Sequence, residues 1–245
     1  RVSRRQRQMC IRDRFDSGMN RLGFSIEDSS IIFEEVSKKT NQIVLMSHFY
    51  SFKGNTKQLK KFKNLEKRCS SDEISVKKSL CNSGGMINYP ASQKDIVRPG
   101  ISMFGSRSNL KDKKIKLESV MTLKSKFISL KEIEKGEKVG YEGTWQAKKP
   151  TKIGILPVGY GDGYPINLSN CGKVLIKGKL APVIGKVSMD MVAIDLSNIS
   201  QISYKDEVIL WGKGHEVDTV AKYANNSSYT LMTGITNRVK KVYKL

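Results

Sequence analysis

Residues 159–165 read GYGDGYP, with a glycine at every other position from Gly159 to Gly163. Glycines let backbone N–H groups close on an anion, so such a loop could cradle a phosphate, but a phosphate turn normally opens a helix whose N-terminus faces the anion. Here Pro165 follows at once, and "INLSNCGKVLIKGKLAPVIG" reads as turns and short β-type runs. The leading local reading is a glycine-rich loop after the strand "KIGILPV". Other chemistry-bearing residues are sparse. Cys10, Cys69, Cys81 and Cys171 form no C-x-x-C pair, and only His48 and His215 could join them, so no metal site is expected and reduced, inert thiols are. Ser47-His48 and Asn82-Ser83 each close a β-type run, which is where parallel α/β folds place binding groups.

The elements that must position these groups fall into two textures. From Phe15 to about Lys114, β-type runs such as "QIVLMSHFY" and "ISVKKSLCNSG" alternate with helix-like stretches, which predicts a parallel α/β arrangement. After Leu117 the runs "KIGILPVGY", "GKVLIKG", "APVIGKVSMDMVAIDL" and "DEVILWG" are punctuated by Gly, Asn and Asp turns, which predicts a mainly β domain. The tail "EVDTVAKYANNSSYTLMTGI" reads as one or two short helices and "RVKKVYKL" as a final strand.

Composition narrows the function classes. The 245 residues are 38% hydrophobic, enough for one large core or two ordinary ones. No apolar run approaches the roughly 20 residues that cross a bilayer, and no charged-then-apolar leader is present, so a cytoplasmic location without membrane contact is expected. A net charge of +21 raises nucleic-acid binding. However, the lysines of "TKQLKKFKNLEKRC" surround Leu59, Phe62 and Leu65 at helical spacing, as on a solvated helix face, and no nucleic-acid module is present, so no nucleic-acid partner is expected. The first fourteen residues, "RVSRRQRQMCIRDR", hold six arginines against the single acid Asp13. They resemble translated adaptor read-through and are set aside as a non-native leader.

Six ordered motifs then carry a family resemblance. "DSGMNRLGF", "SHF", "CNSGG" followed by "DIVRPGISMFG", "VGYEGTW", "VGYGDGYP" and "IGKVSMDM" resemble, in order and spacing, the larger C-terminal part of an alanine racemase, a fold type III pyridoxal-phosphate enzyme. The resemblance implies an α/β fold: a partial (β/α)8 TIM-like barrel over residues 15–116, followed by a mainly β C-terminal domain over 117–245. It also implies pyridoxal 5'-phosphate as cofactor and interconversion of L-alanine and D-alanine for peptidoglycan supply. A head-to-tail homodimer with shared active sites is implied as well. The rivals are another fold type III enzyme, either a broad amino-acid racemase or a decarboxylase, and a basic non-catalytic binding protein. The family's Schiff-base lysine, in a K-A-N-A-Y-G-type motif, has no counterpart; "AKYANN" shares letters at the wrong end. The chain is therefore expected to lack the first half of its barrel and to be inactive as given.

Residue by residue, the resemblance makes Tyr141 a catalytic base, which must lose its proton well below the ordinary tyrosine range near 10. Arg21 and the backbone N–H of Met189 would hold the substrate carboxylate. Arg98 would face the pyridine nitrogen, with His48 orienting it. Ser83, Gly100 and Ile101 would form the phosphate cradle. Asn237 stands where many relatives carry a phosphate-binding tyrosine, so that contact is not carried over. Local structure alone also accommodates a packed strand-end tyrosine, a surface arginine, a strand methionine, a structural histidine and ordinary loop residues at these positions.

Overall fold

The computed structural model describes residues 11–51, 55–112 and 114–243, and the chain divides into two compact units. The first runs to Met103 and includes Asn109–Lys116; the second comprises Phe104–Ser108 and the chain from Leu117 onward.

In the first unit, β1 (Ile11–Arg14), β2 (Gln42–Met46), β3 (Ser75–Asn82) and β4 (Ile96–Arg98) form one sheet in sequential order, every pair parallel. Helices α1 (Ser29–Ser37), α2 (Thr56–Arg68) and α3 (Ser83–Asn88) lie between consecutive strands in sequence. This is the βα alternation expected of a partial barrel. In β2, Ile43, Val44 and Leu45 are all buried, as in a parallel strand covered on both faces. Helix α2 buries Gln58, Phe62 and Leu65 and turns its lysines outward, while Lys67 and Arg68 in its last turn complement the helix dipole. The core gathers Phe15, Ile43, Leu45, Phe49, Phe62 and Leu80. Strand β1 lies within the arginine-rich leader; residues 1–10 of that leader lie outside the described residues.

The second unit is mainly β, as expected. A seven-stranded sheet runs β5 (Leu123–Lys126), β13 (Glu207–Trp211), β10 (Lys173–Ile176), β11 (Lys179–Ile184), β12 (Val192–Asp195), β9 (Thr151–Leu156) and β6 (Ser129–Ile133). All its pairings are antiparallel. The β10–β11 hairpin turns on Lys177 and Gly178, whose φ values of 48° and 76° are the positive pair that a tight two-residue hairpin needs. Trp211 and Tyr164 stack at 6.0 Å in the core, both fully buried. Strands β7 (Lys138–Val139) and β8 (Trp145–Gln146) make a separate small hairpin.

The tail forms α4 (Val217–Tyr223) and α5 (Ser228–Thr233), matching the two short helices expected. The final strand read from "RVKKVYKL" is not formed among the described residues. Val239 closes a turn to Thr236 and packs against the core, whereas Val242 and Tyr243 are exposed. Two lysines follow Val239, leaving too few apolar residues to bury one face of a strand. Among the described residues, no helix is long and apolar enough to cross a membrane.

Candidate active site

Parallel pairing sends the carboxyl ends of β1 to β4 to one edge of the first unit's sheet, and the polar residues gather there. Arg98 ends β4. Its guanidinium donates to the Ser47 carbonyl at 2.6 Å and to the Ser79 hydroxyl, and lies 3.2 Å from Nδ1 of His48. Since arginine only donates, Nδ1 of His48 is the acceptor, and a neutral ring then carries its proton on Nε2. The 3.5 Å contact between that nitrogen and the Asn82 amide nitrogen therefore joins two donors. The Asn82 orientation is set independently: its Oδ1 caps α3 through the Gly85 N–H at 2.9 Å, and its Nδ2 donates to the Phe49 carbonyl at 3.3 Å.

Burial, followed by the guanidiniums of Arg98, Arg14 and Arg21, pushes His48 down to about 4. The folded value lies below the unfolded one, so between about 6.5 and about 4 the unfolded chain takes up a proton that the folded site refuses. Stability should fall as pH drops through that window. His48→Gln is expected to flatten the pH dependence of the urea midpoint there; a slope equal to wild type would show that the ring is not held neutral.

Ser83, 2% exposed, accepts through its hydroxyl oxygen from the N–H of Gly100 at 2.7 Å and more weakly from Ser102 at 3.4 Å. It thereby ties the segment after β4, which includes buried Ile101, to the start of α3. Arg21 is exposed on the loop after β1. Asp16 accepts from the N–H groups of Gly18 and Met19, both at 2.7 Å, and Asp16 N–H to Phe24 carbonyl and Phe24 N–H to Arg14 carbonyl close the loop at 2.8 Å. The structure thus brings His48, Ser83, Arg98, Gly100 and Ile101 together, with Arg21 on an adjoining loop of the same unit. Ser47, Ser79 and Asn82 complete the group, and Ser79 was not singled out by sequence because a serine inside a strand carries no signal.

This donor set suits an anionic phosphate together with an unprotonated ring nitrogen. Arg98, His48, Asn82, Ser79 and Ser83 include no carboxylate, and guanidinium, hydroxyl and N–H groups all donate.

Tyr141 and Met189 belong to the second unit. Tyr141 follows Gly140, whose φ is 74°, and opens a short turn at the end of the small hairpin, where it is 69% exposed. Beside it, Glu142 pairs with Lys186 at 2.6 Å. Tyr141 borders a cavity of about 510 Å³ with Ile133, Ile155, Lys186, Ser188 and Met191. Met189 lies between those last two in a turn closed from Ser188 N–H to Met191 carbonyl at 3.0 Å.

The GYGDGYP loop fixes that turn. Tyr160 N–H donates to the Ser188 carbonyl at 3.0 Å and Gly161 N–H to the Met189 carbonyl at 2.9 Å. Asp162, 8% exposed, accepts from Gly159 N–H at 3.0 Å and pairs with Arg238, which also pairs with Asp190. The glycines are required by this approach: a Cβ on Gly159 would sit 2.1 Å from the Ser188 carbonyl oxygen, and one on Gly163, at φ +97°, would sit 2.2 Å from that of Gly234. Gly159→Ala is expected to cost about 3 kcal/mol, the upper end for forced overpacking, read as a lowered denaturation midpoint by Trp211 fluorescence. A loss under 0.5 kcal/mol would mean that the two loops can part freely.

A parallel βα sheet with basic and hydroxyl groups at its carboxyl edge, followed by a β unit, defines a class of two-unit α/β-plus-β proteins. Residues 3–108 match the family model "Alanine racemase, N-terminal domain" and residues 120–243 match "Alanine racemase, C-terminal domain". The chain belongs to the alanine racemase family. It is 37% identical over 239 residues to alanine racemase of Actinobacillus succinogenes, covering 94% of this chain and 65% of that one. It is 38% identical over 242 residues to that of Coxiella burnetii, covering 93% and 65%. Among solved structures, biosynthetic alanine racemase from Pseudomonas aeruginosa superposes with a TM-score of 0.86 at 35% identity, covering 96% of this chain and 66% of that one. Alanine racemase from Bartonella henselae, with covalently bound pyridoxal phosphate, superposes at 0.87 with 26% identity, covering 96% and 66%. The chain spans about 65% of the length of these curated relatives.

Proposed function

We propose that this chain is part of a pyridoxal-phosphate-dependent alanine racemase that interconverts L-alanine and D-alanine in the cytoplasm for peptidoglycan supply. The observation that carries the reading is Arg98, held at a strand end by Ser47 and Ser79 beside a neutral His48. A guanidinium facing the pyridine nitrogen keeps its own protons, so that nitrogen receives a hydrogen bond rather than a full charge. The cofactor, when bound, supplies the electron sink that acidifies the Cα–H bond. An unprotonated ring makes that sink weak and favours return of the proton to Cα. Ser83 with Gly100 and Ile101 would hold the phosphate, and Arg21 with the Met189 N–H would hold the substrate carboxylate. Tyr141 would move the proton on one face, with a lysine of the full-length enzyme on the other. In this reading residues 15–116 belong to the cofactor-binding barrel and 117–245 to the β domain, and two copies assemble head to tail.

Expressed from its complete coding sequence and supplied with pyridoxal phosphate, the protein should racemise either alanine enantiomer, followed by circular dichroism. The 245-residue chain alone should not. A full-length product that binds the cofactor yet leaves alanine optically pure, or releases carbon dioxide from an amino acid, would overturn the racemase reading.

A further inference from the structure

Helix α2 turns one polar side chain to the core. Gln58 is 1% exposed, on the face that buries Phe62 and Leu65. Each of its hydrogen bonds leaves the helix. Nε2 donates to the His48 carbonyl at 3.0 Å and to the Ser17 hydroxyl at 3.1 Å, and Oε1 accepts from the Tyr50 N–H at 3.2 Å. Ser17, 2% exposed, is 2.7 Å from the Ser47 hydroxyl, and the Ser47 carbonyl receives Arg98. Burying an amide is tolerated only when its groups are bonded, and an apolar residue would fill the same space with no such requirement. The placement therefore calls for a reason other than packing.

We propose that Gln58 is a positioning residue that locks two segments of the candidate site together: the β2 end that carries His48, and the loop after β1 that carries Arg21. The inference rests on reading those two residues as parts of the site. Bonds to the His48 carbonyl and the Tyr50 N–H fix the backbone on both sides of Phe49, and so fix the direction from which the imidazole meets Arg98. The bond to Ser17 anchors the other segment one residue before Gly18, whose φ of 129° is one that residues with a side chain rarely adopt. Without that bond, the loop that carries Arg21 would keep the Ser17–Ser47 contact and its own closure.

Three variants of the full-length protein separate these links. Gln58→Met is near-isosteric and breaks all three bonds; Gln58→Glu keeps the acceptor for Tyr50 and loses both donors; Ser17→Ala removes the loop's links to Gln58 and to the Ser47 hydroxyl and leaves the Gln58 bonds to His48 and Tyr50 in place. In protein labelled with 15N-histidine, the His48 titration is set by burial and by Arg98, Arg14 and Arg21. Its midpoint should rise by roughly one unit in both Gln58 variants, a typical environmental shift, and by less in Ser17→Ala, where of these causes only the last, Arg21, is disturbed. For alanine turnover, Ser17→Ala should raise KM about tenfold with kcat within about twofold, since it misplaces a ground-state and transition-state contact equally. Gln58→Glu should change both parameters. A folded Gln58→Glu protein with wild-type His48 titration and kinetics overturns the proposal, as does Ser17→Ala with an unchanged KM; should Gln58→Met fail to fold, those two variants decide. A wild-type protein that shows the expected titration but does not racemise alanine would sink the proposed activity and leave the clamp standing.

Discussion

Tyr141→Phe in the full-length enzyme should lower kcat by roughly a hundredfold to ten-thousandfold, the usual worth of a positioned acid–base group. The side chain is well suited to such a test. It is 69% exposed, so removing its hydroxyl leaves no cavity and no stranded partner in its own unit, and the denaturation midpoint should not move. The proposed head-to-tail dimer makes a sharper version available. If Tyr141 serves the neighbouring subunit's cofactor, mixing Tyr141→Phe protein with a variant lacking the Schiff-base lysine should restore up to one working site per heterodimer, the other site carrying both defects. Mass-labelled heterodimers that form but recover no activity would mean that Tyr141 works within its own subunit or is not the base.

Arg98→Glu should have the other large effect: a fall in racemisation on the order of a hundredfold to a thousandfold, as when a preorganised charge in a site is removed. The direction of the side reaction is the more discriminating readout. A carboxylate at this position would stabilise a proton on the pyridine nitrogen, strengthening the electron sink and allowing more of the substrate to leave as pyruvate by transamination. The ratio of pyruvate formed to alanine racemised should therefore rise. An unchanged ratio in a folded, cofactor-binding variant would show that Arg98 does not face the ring.

The sequence made two strand ends legible because a strand followed by a short polar residue is a local pattern, and Ser47-His48 and Asn82-Ser83 sit in it; Arg98 was legible only through the family resemblance of the segment around it. The alternation of β runs and helices in the first unit, and of β runs and Gly, Asn or Asp turns in the second, is local in the same way and revealed the class of each. Contacts that join distant segments had no such signature. Gln58 is one polar letter in a lysine-rich helix, and only the spacing to Phe62 and Leu65 marks its face as the buried one. Arg238 meets Asp162 and Asp190 across long stretches of chain that no local window spans. The final strand expected from "RVKKVYKL" is not formed because the pattern records side-chain polarity, whereas a strand also needs an edge to pair with, and among the described residues of that segment only Val239 packs against the core.

The glycine loop at 159–163 divides its positions into two kinds for any population of variants. At Gly159 and Gly163 every single-residue change adds at least a methyl group where a carbonyl oxygen already stands at 2.1 or 2.2 Å, so these sites should be almost empty in a deep mutational scan. Tyr160 contributes its N–H to the same turn but is 49% exposed, and its side chain is free to differ without moving Met189. The loop thereby separates heritable variation in side-chain chemistry from the backbone register beneath it: new surfaces can be sampled at one position while the neighbouring turn keeps its place.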